Sequence, residues 1–257
     1  IYKTIKSILA QNFENLEILI SNNASTDRTL EIINQLRKKD SRIKIFNQTQ
    51  KISALRNFKF LLNKTKGDYI MWLAAHHRIS KNFIFENSNF LEKNQDYIAS
   101  MGLDYFEFEN DKKRKKQNFT FNHDIFSNFK SFFKNCWRTH GLFYSIIRRS
   151  TIFTASKCLK PYYASDWSFM TKLVSLGKIN RIENSFLILG TEGKSTSKNA
   201  HEYVQDKYKT KIPFYYFNKY FFKLVNKNNS ITFFQKVELT FISLLLNLRY
   251  LISIIKK

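Results

Sequence analysis

Residues 16–33 read LEILISNNASTDRTLEII, and the order of residue types in this stretch decides the fold class. Leu16–Ser21 is a short apolar run of the kind that forms a buried parallel strand. Asn22–Asp27 (NNASTD) is a polar turn that also supplies N-cap chemistry for a following helix. Leu30, Ile33 and Leu36 then recur at helical spacing through Arg37. A strand, a polar turn and a helix in that order make half of a βαβ unit.

Flanking segments repeat the pattern. Tyr2–Gln11 reads as a helix with Ile5, Ile8 and Leu9 on one face, and Arg42–Phe46 (RIKIF) as a second strand. Ser53–Asn63 is helical, Gly67–Asp68 is a break, and Tyr69–Leu73 is a third strand. This alternation predicts an α/β domain with a mostly parallel sheet covered by helices on both faces. Ligands of such sheets sit beyond the carboxyl ends of the strands, so Asn22–Asp27 and Ala74–Arg78 are expected to share one crevice. Further on, Asp96–Glu109 alternates as a strand or hairpin, Phe126–Phe133 is helical, and Gly141–Arg149 is a strand ending in two arginines. Ser165–Leu176 is a helix and Ile182–Leu189 the last strand. Gly190–Asn199 is a flexible loop bearing Lys194 and Lys198, after which the chain turns helical and aromatic. The expected organisation is a domain over 1–199 and a helical extension over 200–257.

With 257 residues, 43% of them hydrophobic, the chain can bury a full core, which excludes a disordered polypeptide. Lys plus Arg number 43 against 20 acidic residues, a formal charge of +23. That surplus calls for an anionic counterpart: nucleic acid, phospholipid head groups or a phosphorylated substrate. The run KKRKK at 112–116 is the one feature suggesting nucleic acid; it sits in a charged loop, and no nucleic-acid-binding motif accompanies it. Cys136 and Cys158 have no metal-type spacing, and a reducing cytosol is the default reading. The chain opens at Ile1 inside a helical pattern, so its natural N-terminus is expected to lie upstream.

Four segments, SILAQNFENLEILISNNASTDRTLEII (7–33), ALRN (54–57), GDYIMWLAAHHRISKNF (67–83) and ASDWSFMTKLVSLGKI (164–179), together with GLFYSIIRRS (141–150), resemble the family 2 glycosyltransferases and their nucleotide-sugar-binding GT-A fold. The similarity covers roughly residues 1–190, with the family's first strand absent ahead of Ile1. It implies an inverting transferase that moves a sugar from a nucleotide donor, a UDP-sugar, to a hydroxyl of a glycan or lipid-linked glycan. The implied setting is surface polysaccharide synthesis at the cytoplasmic face of a bacterial membrane. By the same resemblance Asn22 occupies an acidic nucleotide-holding position with Asn23 beside it, and Asp27 matches a second acidic position. Asp27 also reads simply as a charge favoured by a helix N-terminus. Arg56 and Asn57 match a pair near the nucleotide, Arg56 alternatively being a solvated helix residue. Asp166, in SDW, matches the family's base, with an ordinary helix N-cap as the other reading.

The departure is at 73–77, where the family has a Leu and an Asp-x-Asp cluster for the ribose and a divalent cation. Here the residues are Leu73, Ala74, Ala75, His76 and His77. Three outcomes stay open. A neutral imidazole, His77 foremost, could ligate Mn2+, with Mg2+ less suited to nitrogen. Alternatively the reaction is metal-independent, and fixed cations such as Arg78, Arg148, Arg149, Lys194 and Lys198 stabilise the leaving diphosphate. In the third case the site binds a nucleotide sugar without turning it over. Two neighbours on an extended segment point opposite ways, so His76 and His77 are not expected to share an ion.

In the tail, Phe234, Val237, Phe241, Leu244, Leu248, Leu251 and Ile255 recur at steps of three and four. The uncharged stretch Leu239–Leu248 is shorter than the ~20 residues a bilayer span needs. A helix lying on an anionic membrane surface, or one covering the domain or pairing with another subunit, are the two expectations.

Overall fold

The structure, a computed structural model, describes residues 1–107, 119–137, 140–190, 208, 210 and 212–255. The charged run at 111–117, Lys194, Lys198 and His201 lie outside the described residues. The first half follows the predicted alternation: α1 (Tyr2–Leu9), β1 (Ile18–Asn22), α2 (Thr29–Arg37), β2 (Ile43–Asn47), α3 (Ala54–Leu62) and β3 (Tyr69–Ile70). Next come β4 (Arg78–Ile79), α4 (Phe83–Lys93), β5 (Tyr97–Glu107), α5 (Ile125–Asn135), β6 (Ile146–Arg148) and α6 (Arg149–Ser156). The remainder is α7 (Ser165–Val174), β7 (Lys178–Gly190), α8 (Tyr215–Asn226) and α9 (Phe233–Ile255).

The strands form a parallel β1–β2 pair and a five-stranded sheet in the order β3-β6-β5-β7-β4. Both long pairings, β1–β2 and β5–β7, are parallel, while the short β3–β6, β5–β6 and β4–β7 contacts are antiparallel. β1 and β3 both line a cavity of about 1270 Å³ with apolar walls from Ile5, Leu19, Ile20, Ile70 and Trp72. Among the described residues β1 pairs only with β2 and β3 only with β6, so each strand has one edge without a ladder partner. Trp72 Nε1, buried in the wall of this cavity, has no acceptor among the described residues.

Two predicted strands lie mostly outside the sheet, β4 was not predicted, and β7 starts four residues before the predicted Ile182. Tyr69–Leu73 contributes only its first two residues to the sheet, because the chain leaves the ladder to form the tip at 74–77. Gly141–Arg149 enters the sheet only at Ile146; residues 141–144 turn instead. The cause is a buried polar contact. The Gly141 N–H donates to Asp104 Oδ2 at 3.0 Å, and a Cβ at Gly141 would clash with that carboxylate. Asp104, on β5, and Arg181, on β7, are both without solvent exposure and 3.5 Å apart. Arg181 also donates to the carbonyls of Gly102 (3.0 Å) and Phe119 (2.9 Å). Burial pushes the Asp104 carboxyl up, and the guanidinium and the Gly141 amide oppose that shift.

The main core joins both halves of the chain. Phe129, Phe132, Phe169, Leu173 and Ile179 pack together with Phe214, Phe217, Phe221, Leu239 and Leu246 of the tail. α8 and α9 thus share the core of the preceding domain. No helix among the described residues is long and apolar enough to cross a membrane.

Removing one partner of a buried pair strands the other charge, at a cost of roughly 3–5 kcal/mol. Arg181→Met is therefore expected to destabilise the fold by about that much in urea unfolding, and Asp104→Leu/Arg181→Met by clearly less. Equal losses in the single and double variants would remove this pair from the account of stability.

Candidate active site

The tip between β3 and β4 is built by contacts from three directions. The Thr4 hydroxyl of α1 donates to the Ala75 carbonyl at 2.7 Å. The His77 N–H donates to the Ala74 carbonyl at 3.0 Å, which closes a turn. The Gly190 N–H, at the end of β7, donates to His77 Nδ1 at 3.2 Å. That last contact requires a glycine, since a Cβ at 190 would meet the His76 carbonyl oxygen. It also sets the tautomer: an Nδ1 that accepts leaves the proton of a neutral imidazole on Nε2.

Because 74–77 is a turn, the two histidines do not diverge as an extended segment would require. Their rings meet edge-on with centroids 4.1 Å apart, and the His77 ring packs edge-on against Tyr144 at 4.7 Å. His77 is 5% exposed. Burial, then the nearby His76 and His140, lower its pKa to about 3. Burial lowers His140 as well. The His77 side of the tip is therefore aromatic-packed, with a neutral imidazole at ordinary pH.

On the facing side, the β1 end and the following turn are held by amides. Asn22 Nδ2 donates to Asn47 Oδ1 at 3.3 Å, and its Oδ1 accepts from the Ser25 N–H at 3.2 Å. Asn23 closes a two-way bond with the backbone of Ile52 (2.7 and 2.9 Å). Asn57 accepts from the Ser21 hydroxyl at 2.6 Å and donates to the Ser21 carbonyl at 3.4 Å. Asp27 accepts from the Thr29 N–H at 3.0 Å, and its hydrogen bonds to Thr29 lower its carboxyl pKa. Arg56 is exposed on α3 and Arg78 is half-buried on β4.

Asn23, Asn57, Ala74, Ala75, His76, His77, His140, Tyr144 and Gly190 line the upper part of the cavity beside β1 and β3, whereas Asn22, Asp27, Arg56, Arg78 and Asp166 are not in its wall. Arg148 and Arg149 are excluded from this crevice. β6 runs antiparallel to β3, so its carboxyl end lies at the opposite end of the sheet. There Arg148 donates to the carbonyls of Tyr97 and Leu91, and Arg149 to that of Thr65.

Asp166 stands in the first turn of α7, whose N-cap is Ala164, so it is not itself the cap. Burial of its carboxyl raises the pKa, against hydrogen bonds from the first-turn amides. Its charge is felt by Tyr144, Tyr162 and Tyr163, each of whose phenols is pushed up chiefly by burial. Ala24 (φ 51°) and Ala164 (φ 60°) are the non-glycine residues with left-handed backbone among those described. One sits in the NNASTD turn and the other two residues before Asp166. Such strain is sustained only where surrounding structure enforces it, and it concentrates at functional sites.

Among the described residues, the donors around the tip do not make up a protein-held site for a divalent cation. Among the described residues no group of three His, Cys, Asp or Glu side chains could hold a metal, and His77 Nδ1 is committed to Gly190. Sequence reading missed Tyr144, Asp104 and Arg181, whose significance comes from contacts between distant segments. β5 also brings Phe106 against the ring of His140 at 5.5 Å.

The model of Glycosyl transferase family 2 matches residues 1–154. The chain belongs to this family. It is 28% identical to an uncharacterised glycosyltransferase of Haemophilus influenzae over 84% of this chain and 70% of the relative. It is 39% identical to a GalNAc(5)-diNAcBac-PP-undecaprenol β-1,3-glucosyltransferase of Campylobacter jejuni, over 28% of this chain and 23% of that protein. The fold is that of the Staphylococcus aureus protein TarS 1–349 solved in complex with UDP-GlcNAc, with a TM-score of 0.67 at 14% identity, covering 92% of this chain and 65% of that one. The chain thus spans under two thirds of that solved structure. These likenesses give the GT-A fold and the glycosyltransferase class expected from the sequence.

His77 makes the fold sensitive to acid. Its folded pKa lies below the ordinary 6.5, so unfolding takes up a proton between about pH 6.5 and pH 3. The contribution is full above pH 6.5 and is lost as pH falls through that window. His77→Gln, which keeps an acceptor for the Gly190 amide, is expected to flatten the melting temperature profile between pH 6.5 and 4. An unchanged slope would show that His77 is not the group taking up the proton.

Proposed function

We propose that this glycosyltransferase transfers a sugar, with inversion, from a UDP-sugar to a hydroxyl of a glycan or lipid-linked glycan in surface polysaccharide synthesis. One observation carries the reading: the Asn23–Asn57 side and the Ala75–His77 tip face one cavity, whose wall also includes Tyr144 packed edge-on against His77. The relatives lend support, since TarS is described with UDP-GlcNAc and the C. jejuni relative is named for a lipid-linked acceptor.

In this mechanism the nucleotide rests against the β1 turn, with the amides of Asn22 and Asn23 in place of carboxylates and Asp27, Arg56 and Asn57 around it. Ala75 leaves room at the tip for the donor. Asp166 takes the proton of the acceptor hydroxyl as that oxygen attacks the anomeric carbon, and the bond to the diphosphate breaks on the opposite side. A carboxylate whose pKa is raised by burial holds that proton better than an exposed one. No step is assigned to a metal ion. Neutralising the leaving diphosphate falls to cations, namely Arg78 with Lys194 and Lys198, which follow in sequence from the cavity residue Gly190.

Asp166→Asn is expected to lower transfer by about 10²–10⁴-fold while leaving the thermal stabilisation by UDP-sugar intact. Since Asp166 acts deprotonated, kcat/KM should fall on the acid side at a pH above the usual carboxylate range. Turnover unaffected by the substitution would remove the base assignment. The same thermal-shift assay tests the cation reading: equal stabilisation by donor in EDTA and in Mn2+ is expected, and loss of the shift in EDTA would overturn it. The loss of every acidic residue at 74–77 favours one competing reading, a nucleotide-sugar-binding relative without turnover. It would show donor stabilisation and no transfer to any acceptor.

A further inference from the structure

Helix α9 is apolar on two sides. Leu239, Ser243 and Leu246 are buried against the main core. On its outer side Phe234 is 82% exposed, Phe241 62%, and Val237, Leu244 and Leu248 each 53%. These five positions repeat at steps of three and four, so they form one stripe, about 21 Å long at the helical rise. A surface helix of a folded domain normally turns polar residues to that side. Single exposed leucines are ordinary, whereas a continuous apolar stripe marks an interaction surface.

The charges beside the stripe identify what it meets. α8 packs along α9, where the Lys236 ammonium donates to the Asn226 carbonyl at 3.2 Å. α8 exposes Tyr215, Lys219, Phe222, Lys223 and, just past its end, Lys227. Arg249 is exposed next to Leu248. The acidic residue on α9, Glu238, is engaged by Lys130 at 2.7 Å. We propose that the outer face of α8 and α9 docks in the plane of an anionic lipid surface. The Phe and Leu stripe enters the head-group boundary, and the lysines and Arg249 meet lipid phosphates. A second copy of this chain would instead set the same lysines against each other, in a molecule carrying +23.

The docked face is fastened to the candidate base. Tyr163 packs against Phe214 (5.1 Å) and Tyr250 (6.0 Å), and Trp167 against Phe214 (5.2 Å), so the two residues nearly flanking Asp166 rest on the tail helices. The docking proposal does not depend on the sugar-transfer reading.

Vesicle co-sedimentation tests it without turnover. Phosphatidylcholine vesicles containing phosphatidylglycerol are expected to bring down the full chain at least tenfold better than phosphatidylcholine alone, and added salt should weaken the difference. Phe234→Ser/Phe241→Ser/Leu248→Ser should abolish sedimentation while leaving circular dichroism and donor thermal shift unchanged, because all three side chains are exposed. Lys219→Glu/Lys223→Glu should remove the preference for phosphatidylglycerol. Protein remaining in the supernatant with both vesicles would overturn the proposal. So would a concentration-dependent dimer, seen by light scattering, that the triple variant dissolves.

Discussion

The structure depends on one buried polar junction, where Asp104 of β5, Arg181 of β7 and the Gly141 amide meet out of contact with water. Neither charge is tolerable alone in that interior, and each is tolerable with the other plus the neighbouring carbonyls and N–H. The junction ties the two longest strands together at the shift in their register between Met101 and Leu103. It also stops the 141–144 segment from running straight into the sheet. Instead the chain turns, and His140 and Tyr144 are delivered to the cavity beside the His77 tip.

A second consequence follows at the tip. Carboxylates there would need a cation or solvent, because a buried anion without a partner is costly. Alanines and a desolvated histidine need neither, and the turn closes on Gly190 with a neutral acceptor. The tip is thus held by packing and hydrogen bonds among uncharged groups around His77.

Glycosyl transferase family 2 membership joins these features to sugar transfer, and the helical extension adds its own constraint. Its inner face is part of the main core, and Phe214 packs against Trp167, the residue after Asp166.

The order of strands and helices through residue 70 was legible in the sequence, because apolar periodicity is a local property set by how each residue type meets water. The NNASTD turn was legible in the same local way, whereas the 73–77 stretch and Asp166 were singled out by the family resemblance of the residues around them. Which of these face one another was not legible. The extended reading of His76 and His77 failed because a turn was imposed by Thr4 and Gly190, residues 71 and 113 positions from their partners at the tip. Arg148 and Arg149 were misplaced because strand direction in a sheet depends on pairing, which adjacent residues do not encode. Asp104 and Arg181 look like ordinary surface charges in the sequence; only the tertiary structure makes them a pair, since burial is decided by what the rest of the chain packs around them.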